Sequence, residues 1–382
     1  ILWVNNIWKM IINFPSKISK SIKDRKQKKG YQALAYGLVA SSAGDVEGAE
    51  KYASQAERLL ENRDLTEMLS AHAAHLLGNK SAARQYFKRL SSRKTTSFHG
   101  HLGLMRLASE ELQSDDALFH ARKASFLQPR NPKLTSILVK MEARKENFPE
   151  AIEALHRARR IGAIDEKEAQ SIGAALHTAM GFLNIEKKQT DEAQKSFSYA
   201  LRENSNFIPA VTALSKIYLS QGSNKKALNL LIKTWKSKPH PDIANALKLI
   251  WNDTRSSITV SKLIDITDAD ASSEARLFIA NEALSSGLTG EAEGQLNKIT
   301  EDEHNVFYYQ LKSRIAKNNN NTNEVSLALE KAFSAPRKNS WNCNNCGLTS
   351  ERWSSKCMRC NSIGTLNWQT PPELVKIDHS KS

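Results

Sequence analysis

The sequence predicts an all-α fold, a right-handed solenoid of repeated helix pairs, followed by a small C-terminal module held together by a metal ion. Two observations support this prediction. A small residue recurs every 34 residues, and all four cysteines fall within residues 341–370 as two C-x-x-C pairs. The chain has 382 residues, 40% of them hydrophobic and 7% aromatic, which suffices for an extended helical domain and one small module.

The repeat is defined by an alanine that follows each turn between two helices. Successive alanines are 34 residues apart, except for one interval of 42, so we place an insertion of eight residues within 159–172. This is the period of tetratricopeptide repeats, in which small residues let a first and a second helix pack closely. The marker residues are Ala49, Ala83, Ala117, Ala151, Ala193 and Ala227.

Two further positions keep the same phase. A small or apolar residue stands twelve before each marker, and an apolar residue stands four after it. Pro129 and Pro239 follow two of the second helices and should end them. The positions before the markers are Gly37, Ala71, Met105, Val139, Gly181 and Ser215, and those after them are Ala53, Phe87, Ala121, Leu155, Phe197 and Leu231.

Beyond Pro241 the phase weakens, although Ala292 marks a further repeat and Asn318–Asn321 is typical of a loop. We expect about eight helix pairs in all. The predicted segments are a membrane-proximal arm at 1–29, tetratricopeptide-like repeats at 30–240, degenerate helical repeats at 241–336, a metal-binding ribbon at 341–370 and a disordered tail at 371–382.

The two C-x-x-C pairs have ten residues between them, the spacing of a tetrahedral four-thiolate site of zinc-ribbon or rubredoxin type. Gly347 and Asn361 follow the pairs, where such a turn needs a positive φ. Two disulfides or four free thiols are the alternative, but C-x-x-C bridges are strained and no secretory signal is visible. The four predicted metal ligands are Cys343, Cys346, Cys357 and Cys360.

A site with four protein ligands is closed, so we expect a structural role rather than a catalytic one. Zinc is the expected metal and iron the second choice, because Met358 replaces the proline of a rubredoxin-type C-P-x-C. So small a module must obtain much of its folding free energy from the metal. Trp341, Trp353 and Trp368 should pack around the ribbon or offer a binding face.

Residues 1–29 combine an apolar stretch with a basic cluster that carries +7 of the net charge of +15. The apolar stretch is too short to span a bilayer, so we expect the end of a spanning helix, with Trp3 and Trp8 at the membrane boundary. An amphipathic surface helix is the alternative, and a nucleic-acid arm is a weaker one. The basic residues expected near anionic lipid are Lys17, Lys20, Lys23, Arg25, Lys26, Lys28 and Lys29.

Stacked helix pairs form a concave face lined by the first helices. Its basic side chains indicate an acidic peptide or a protein carboxylate as ligand, although a solvated polar face explains any one of them equally well. We hypothesise that three histidines on this face, His72, His75 and His99, contact a tetrapyrrole or a metal ion. The predicted groove residues are His72, His75, His99, Arg106, Lys140, Arg144 and Lys216.

The sequence contains no Gly-rich phosphate loop after a strand, no H-E-x-x-H and no G-x-S-x-G. All its thiols belong to the metal module. We therefore expect a protein without catalytic residues.

Together these features resemble the HemY family of proteobacterial inner-membrane tetratricopeptide proteins, in the form that ends in a four-cysteine knuckle. The resemblance implies a bacterial inner-membrane protein whose soluble part faces the cytoplasm. It also implies a scaffold for haem (porphyrin) biosynthesis that binds protein partners such as tetrapyrrole-pathway enzymes. The residues that carry it are Gly30-Tyr31-Gln32-Ala33-Leu34, Gly37, Gly44, Asp45 and the pattern W-x-C-x2-C-G-x5-W-x3-C-x2-C from Trp341.

Members of that family usually carry two spanning helices, of which this sequence has at most the end of the second. The LapB family has a similar layout with a rubredoxin-like knuckle, and resemblance to it implies an adaptor to a membrane protease or to envelope-assembly enzymes. A third reading is a carrier or sensor that binds haem itself. The Gly-Tyr-x-Ala-Leu segment and the tryptophan-flanked ribbon favour the HemY family.

Overall fold

The computed structural model describes residues 2–251, 256–268 and 270–371, with the side chains of residues 2–22 and 256 left out of the description. This part of the chain is almost entirely helical, and a small sheet follows the last helix. The helices are α1 (Leu2–Ala43), α2 (Val46–Leu59), α3 (Arg63–Leu76), α4 (Lys80–Ser91), α5 (Ser97–Glu110), α6 (Ser114–Leu127), α7 (Pro132–Arg144), α8 (Phe148–Arg160), α9 (Glu166–Glu186), α10 (Thr190–Glu203), α11 (Ile208–Ser220), α12 (Asn224–Ser237), α13 (Pro241–Trp251), α14 (Ser256–Asp265), α15 (Ser273–Ser285), α16 (Thr289–Leu296), α17 (Val306–Asn318) and α18 (Thr322–Ser334).

The helices follow one another as nine pairs within the described residues, against about eight expected. Every marker alanine, including Ala292, lies on a second helix and is at most 1% exposed. The residues four after the markers are buried as well, from Ala53 to Leu231. The tetratricopeptide phase is therefore confirmed, and Pro129 and Pro239 follow the ends of α6 and α12 as predicted.

The turn inside each pair repeats one backbone conformation. In the first six pairs, one residue has a φ between 59° and 74°, and its position advances with the same period as the marker alanines. This left-handed residue ends the first helix and reverses the chain. Glycine adopts it freely, whereas other residue types cost about 1 kcal/mol. The six residues are Gly44, Gly78, Leu112, Glu146, Lys188 and Gly222.

The insertion predicted within 159–172 lengthens a single helix. α9 has 21 residues, whereas α7 and α11, the first helices of the adjoining pairs, have 13 each. Asp165 caps the extended end, because its side chain accepts hydrogen bonds from the backbone N–H groups of Lys167 and Glu168. The extra residues therefore add two turns at the N-terminal end of α9.

The chain divides into two compact units, residues 1–138 and 139–382, with the division inside α7. Small residues and single large side chains form the core of the first unit, as where Phe87 packs against Gly103. The core of the second unit is larger and centres on Trp235, Ile243 and Leu247. Residues of the cysteine ribbon belong to this second core. The boundaries predicted at 240 and 336 stay predictions.

α1 continues from the arm into the first helix of the first pair, without a break at residue 29. Lys23, Arg25, Lys26, Lys28 and Lys29 are exposed on it. The side chains of Trp3, Trp8, Lys17 and Lys20 lie outside the described residues, as do residues 372–382 of the tail predicted at 371–382. Where the structure is described, no helix has the combined length and apolar content that crossing a membrane requires.

We expect Gly181→Ala to destabilise the second unit. Gly181 in α9 is buried, and an added Cβ would stand 2.5 Å from the ring of Phe197 in α10. Forcing the two helices apart should lower the free energy of unfolding by about 1–3 kcal/mol, as measured by urea denaturation. The control is Gly294→Ala in α16, where a Cβ meets nothing within 4 Å. That change should be neutral or raise stability by up to about 1 kcal/mol, and equal effects at the two sites would contradict this account of the packing.

Candidate metal centre

The four cysteine sulfurs converge on one point. The Sγ atoms of Cys343 and Cys360 are 3.7 Å apart, those of Cys346 and Cys357 are 3.6 Å apart, and all four lie within 4.8 Å of one another. Four thiolates around one ion at about 2.3 Å would be separated by about 3.8 Å. The residues therefore fit a tetrahedral four-thiolate site, and such a site holds zinc or iron.

The two turns that carry the cysteines have the predicted backbone. Gly347 has a φ of 70° and Asn361 a φ of 54°. The Gly347 N–H donates to the carbonyl oxygen of Cys343 at 2.8 Å, and the Asn361 N–H donates to that of Cys357 at 2.9 Å. Each turn thus presents two sulfurs on the same side, and the cysteines described are free thiols rather than disulfides.

Hydrogen bonds favour the thiolate form at Cys360 and Cys343. At Cys346 the hydrogen bond from the Leu348 backbone acts to lower the pKa, but burial and the hydrogen bonds with the other three cysteines outweigh it and raise the pKa to about 12. The side chains of Ser362 and Asn345 lower the pKa of Cys360 to about 5. Burial acts to raise the pKa of Cys343, but the hydroxyl of Thr365, 3.2 Å from its sulfur, and nearby backbone N–H groups outweigh burial and bring this pKa below its usual value. Because a metal binds the thiolate form, these donors prepare the site for a cation.

The cysteines are joined by a three-stranded antiparallel sheet in the order β2-β1-β3, with β1 (Ser340–Cys343), β2 (Thr349–Ser350) and β3 (Leu366–Gln369). In β1 and β3, Trp341 stands opposite Trp368. We call residues 340–370 the ribbon. The ribbon packs against the first helices of the second unit and does not form a separate domain.

The sequence predicts that the three ribbon tryptophans either pack around the ribbon or offer a binding face. In the structure they pack against the first helices of the second unit. Trp353 lies between Phe182 of α9 and Phe207 at the start of α11, with ring centroids 6.5 Å and 5.4 Å away. The rings of Trp368 and Trp341 are 4.2 Å and 5.5 Å from His240, just before α13. Apolar burial therefore ties the ribbon to the solenoid.

The ribbon also contacts the inserted turns of α9. The hydroxyl of Ser171 donates to the carbonyl oxygen of Gly364 at 2.7 Å. Gly364 has a φ of 65°, and a Cβ there would stand 2.9 Å from the Cα of Ile172. Backbone meets backbone at this point, which only glycine permits. The eight-residue insertion thus provides one part of the surface against which the ribbon packs.

Polar contacts complete the attachment. The Lys356 ammonium pairs with Glu146 at 2.6 Å, but the two side chains are 37% and 58% exposed, so this ion pair contributes little. Asn339 donates its Nδ2 to the carboxyl of Glu274 in α15 at 2.8 Å. Burial raises the pKa of Glu274, and the hydrogen bond from Asn339 partly offsets that rise.

The predicted groove residues all lie on first helices, in α3, α5, α7 and α11. In the first unit, the His72 ring packs edge-on against Phe87, and burial followed by the charge of Arg106 lowers its pKa. His75 Nε2 lies 2.9 Å from a carboxylate oxygen of Glu110, while His99 and Arg106 are exposed. Their role in binding a partner stays a prediction.

The groove residues of the second unit have a different setting. Lys140 and Arg144 line a cavity of about 100 Å³ together with Asn345 and Ser362 of the ribbon. Lys216 is exposed on α11, and its charge acts on Asp242. The ribbon therefore occupies part of the face on which these three residues lie.

Sequence reasoning did not identify the residues that hold the ribbon in place. His240 is 2% exposed, its Nδ1 accepts the N–H of Asp242 at 3.0 Å, and burial, with the charge of Lys238 adding to it, lowers its pKa to about 3. Ser171 and Gly364 carried no motif. The one sequence signal for this docking was the 42-residue interval in the 34-residue alanine period. An insertion within 159–172 exposes new surface, which needs a partner to pack against.

A helix-pair array that carries a docked four-cysteine ribbon defines a tetratricopeptide scaffold-like protein. The family model described as HemY protein N-terminus matches residues 1–78, and a tetratricopeptide repeat model matches residues 184–250. The resemblance to the HemY family, drawn from the sequence, is thereby confirmed.

Relatives and solved structures of similar kind also match. The chain is 22% identical over 374 residues to a probable magnetosome protein, Mms48, of Magnetospirillum gryphiswaldense, an alignment that covers 94% of this chain and 79% of that protein. A tetratricopeptide repeat protein of Parabacteroides merdae is 11% identical, with 79% of this chain and 99% of that one covered and a TM-score of 0.32. The crystal structure of MamA is 17% identical over 42% of this chain and 89% of its own, with a TM-score of 0.26.

We expect Gly364→Ala to detach the ribbon from α9 while the metal stays bound. The new Cβ would meet the backbone of Ile172, and an overpacked contact of this kind costs about 1–3 kcal/mol in addition to the strain of a positive φ. Limited proteolysis should then cut the linker near residue 337 faster, with one metal ion per chain retained. The matched control is Gly222→Ala, which has a φ of 72° but no neighbour within 4 Å. Equal cleavage in both variants would show that strain alone, and not docking, is affected.

We expect His240 to make the second unit less stable in acid. Its pKa, 6.5 when unfolded and about 3 when folded, means that the unfolded chain takes up the proton first as the pH falls. The stability is fully present above pH 6.5 and declines as the pH falls toward 3, by about 1.4 kcal/mol at pH 5.5. Urea unfolding at pH 7.5 and 5.5 should show a smaller difference for His240→Gln than for the native chain. His156→Gln, at an exposed position in α8, should leave the difference unchanged.

Proposed function

We propose that this protein is a non-enzymatic, membrane-tethered scaffold that binds protein partners through the first-helix face of its tetratricopeptide array. The observation that carries the proposal is the HemY N-terminus match over residues 1–78, which joins a membrane-associated family to a repeat fold. In this proposal the arm lies at the bacterial inner membrane with the solenoid in the cytoplasm. The exposed cluster Lys23–Lys29 contributes attraction to anionic lipid.

The first unit offers the better binding face for a partner. His99 and Arg106 are exposed there on α5, and His72 lies close enough for the charge of Arg106 to affect its pKa. In the second unit the corresponding face already holds the ribbon, through Phe182, Phe207 and His240. We therefore place an acidic partner segment against α3 and α5, where guanidinium and imidazole groups can pair with carboxylates.

The ribbon has a supporting role in this function. Zinc is the proposed metal, with iron second, and Cys343, Cys346, Cys357 and Cys360 would hold it as a closed structural site. The link to haem biosynthesis, with tetrapyrrole-pathway enzymes as partners, follows from the family resemblance. Two alternative functions, an adaptor to a membrane protease and a haem carrier, are distinguished from this one by the test below.

The test is a cross-linked pull-down of the protein from solubilised membranes, read by mass spectrometry. We expect tetrapyrrole-pathway enzymes to be enriched, and the double variant His99→Glu with Arg106→Glu to reduce their recovery about tenfold, the effect of about 1.4 kcal/mol. Lys88→Glu, on the exposed side of the second helix α4, is the control for a charge reversal away from this face and should leave recovery unchanged.

Other results would each redirect the proposal. Enrichment of a membrane protease or of envelope enzymes would replace the haem scaffold by the adaptor role. A Soret band on the purified protein, lost when His72, His75 and His99 are replaced by Ala, would favour the tetrapyrrole carrier. Equal recovery of the same partners by the His99/Arg106 variant would move the partner site away from α5.

A further inference from the structure

A cavity of about 740 Å³ lies where the ribbon meets the end of the helical array, wholly within the second unit. Its walls come from His240 just before α13, from Val306 and Gln310 of α17, from the linker at Arg337 and Lys338, and from the ribbon at residues 349–351 and Trp368. Cavities of 300–1,000 Å³ that combine apolar walls with a few polar groups are typical of small-molecule sites. The cavity is separate from the metal ligands and from the proposed partner face.

One wall carries a buried hydrogen-bond donor without an acceptor. His240 Nδ1 accepts the backbone N–H of Asp242 at 3.0 Å, so the neutral ring must carry its proton on Nε2. That Nε2 atom is buried and has no hydrogen-bond partner. The indole N–H of Trp368 is directed at the carboxyl of Glu274. Buried donors are nearly always paired, so the His240 Nε2–H points to a ligand that supplies an acceptor.

Four charged side chains line the cavity. The cations Arg337 and Lys338 are exposed and adjacent in the chain, and the carboxyls of Asp242 and Glu351 balance their charge. The guanidinium and ammonium groups of the linker, together with the buried His240 N–H, supply donors suited to carboxylate or phosphate oxygens.

We propose that this cavity binds a small organic anion, with a carboxylate or a phosphate on a flat apolar body. The anionic oxygens accept the His240 Nε2–H and pair with Arg337 and Lys338. The apolar body lies against the Trp368 indole and Val306, which supply the aromatic and aliphatic walls. Because the walls come from the ribbon and from the array together, only the assembled second unit contains this site.

The test uses 1-naphthoate and 1-naphthyl phosphate as probes on the full-length, zinc-loaded protein, with 1-naphthalenemethanol as the uncharged analogue. Ligand-observed NMR titration should give dissociation constants of about 1 mM or lower for whichever anion fits, as expected for so small a ligand. The alcohol should bind at least about tenfold more weakly, since it lacks the charge that Arg337 and Lys338 recognise.

Three variants locate the binding. Arg337→Gln with Lys338→Gln should weaken the anion about tenfold while leaving the alcohol unchanged, and Val306→Trp should abolish binding of all three probes by filling the cavity. His240→Phe removes the donor and should weaken the anion. The control, Lys298→Gln with Lys331→Gln, removes two exposed cations that do not line the cavity and should change nothing.

Preference for the carboxylate or for the phosphate would identify the anion class. The proposal is overturned if neither anion binds, if the alcohol binds as well as the anions, or if the Arg337/Lys338 variant binds the anions unchanged. Because Arg337 and Lys338 are exposed linker residues, their exchange tests the site even if His240→Phe fails to fold.

Discussion

The close approach of paired helices is the constraint on which the rest of this structure depends. At the marker positions the side chain is a methyl group, so two helix backbones can pack closely over one another, and one large residue such as Phe87 or Phe197 fills the space beside them. The left-handed turn residues recur with the same period as these alanines. Where the methyl group and the turn recur together, each pair is oriented to stack on the next.

The sequence predicted the helical array and the convergence of the four cysteines because both are encoded locally. A marker alanine with its neighbours four after and twelve before lies within one pair, and the two C-x-x-C turns need only their own residues and a positive φ. The loop predicted at Asn318–Asn321 has a physical reason too, since Asn320 adopts a φ of 58° and Asn321 caps α18. The docking of the ribbon could not be predicted, because Ser171 and Gly364 are 193 residues apart and neither belongs to a pattern. Only the broken period hinted at it.

Docking of the ribbon changes how the array can be used. In the second unit, aromatic rings of α9 and α11 hold Trp353, and His240 holds Trp341 and Trp368, so the ribbon itself occupies the surface that repeat proteins offer to partners. A metal site that only stabilised its own thirty residues would not need such contacts. Here Cys343 and Cys357 belong to the buried core of the second unit, so a metal ion held by the four cysteines would also fix the position of these tryptophans.

The two added turns of α9 also bear on the order in which the chain folds. Helix-pair arrays make contacts between neighbours in sequence and can fold progressively along the chain. Lys356 meets Glu146 across 210 residues and Gly364 meets Ser171 across 193, so the second unit closes a long loop that ordinary repeats lack. Its relative contact order is correspondingly higher, and loop closure must precede the last native contacts. During synthesis, the inserted turns of α9 stay exposed to solvent until the ribbon has emerged from the ribosome. The first unit can complete its folding earlier.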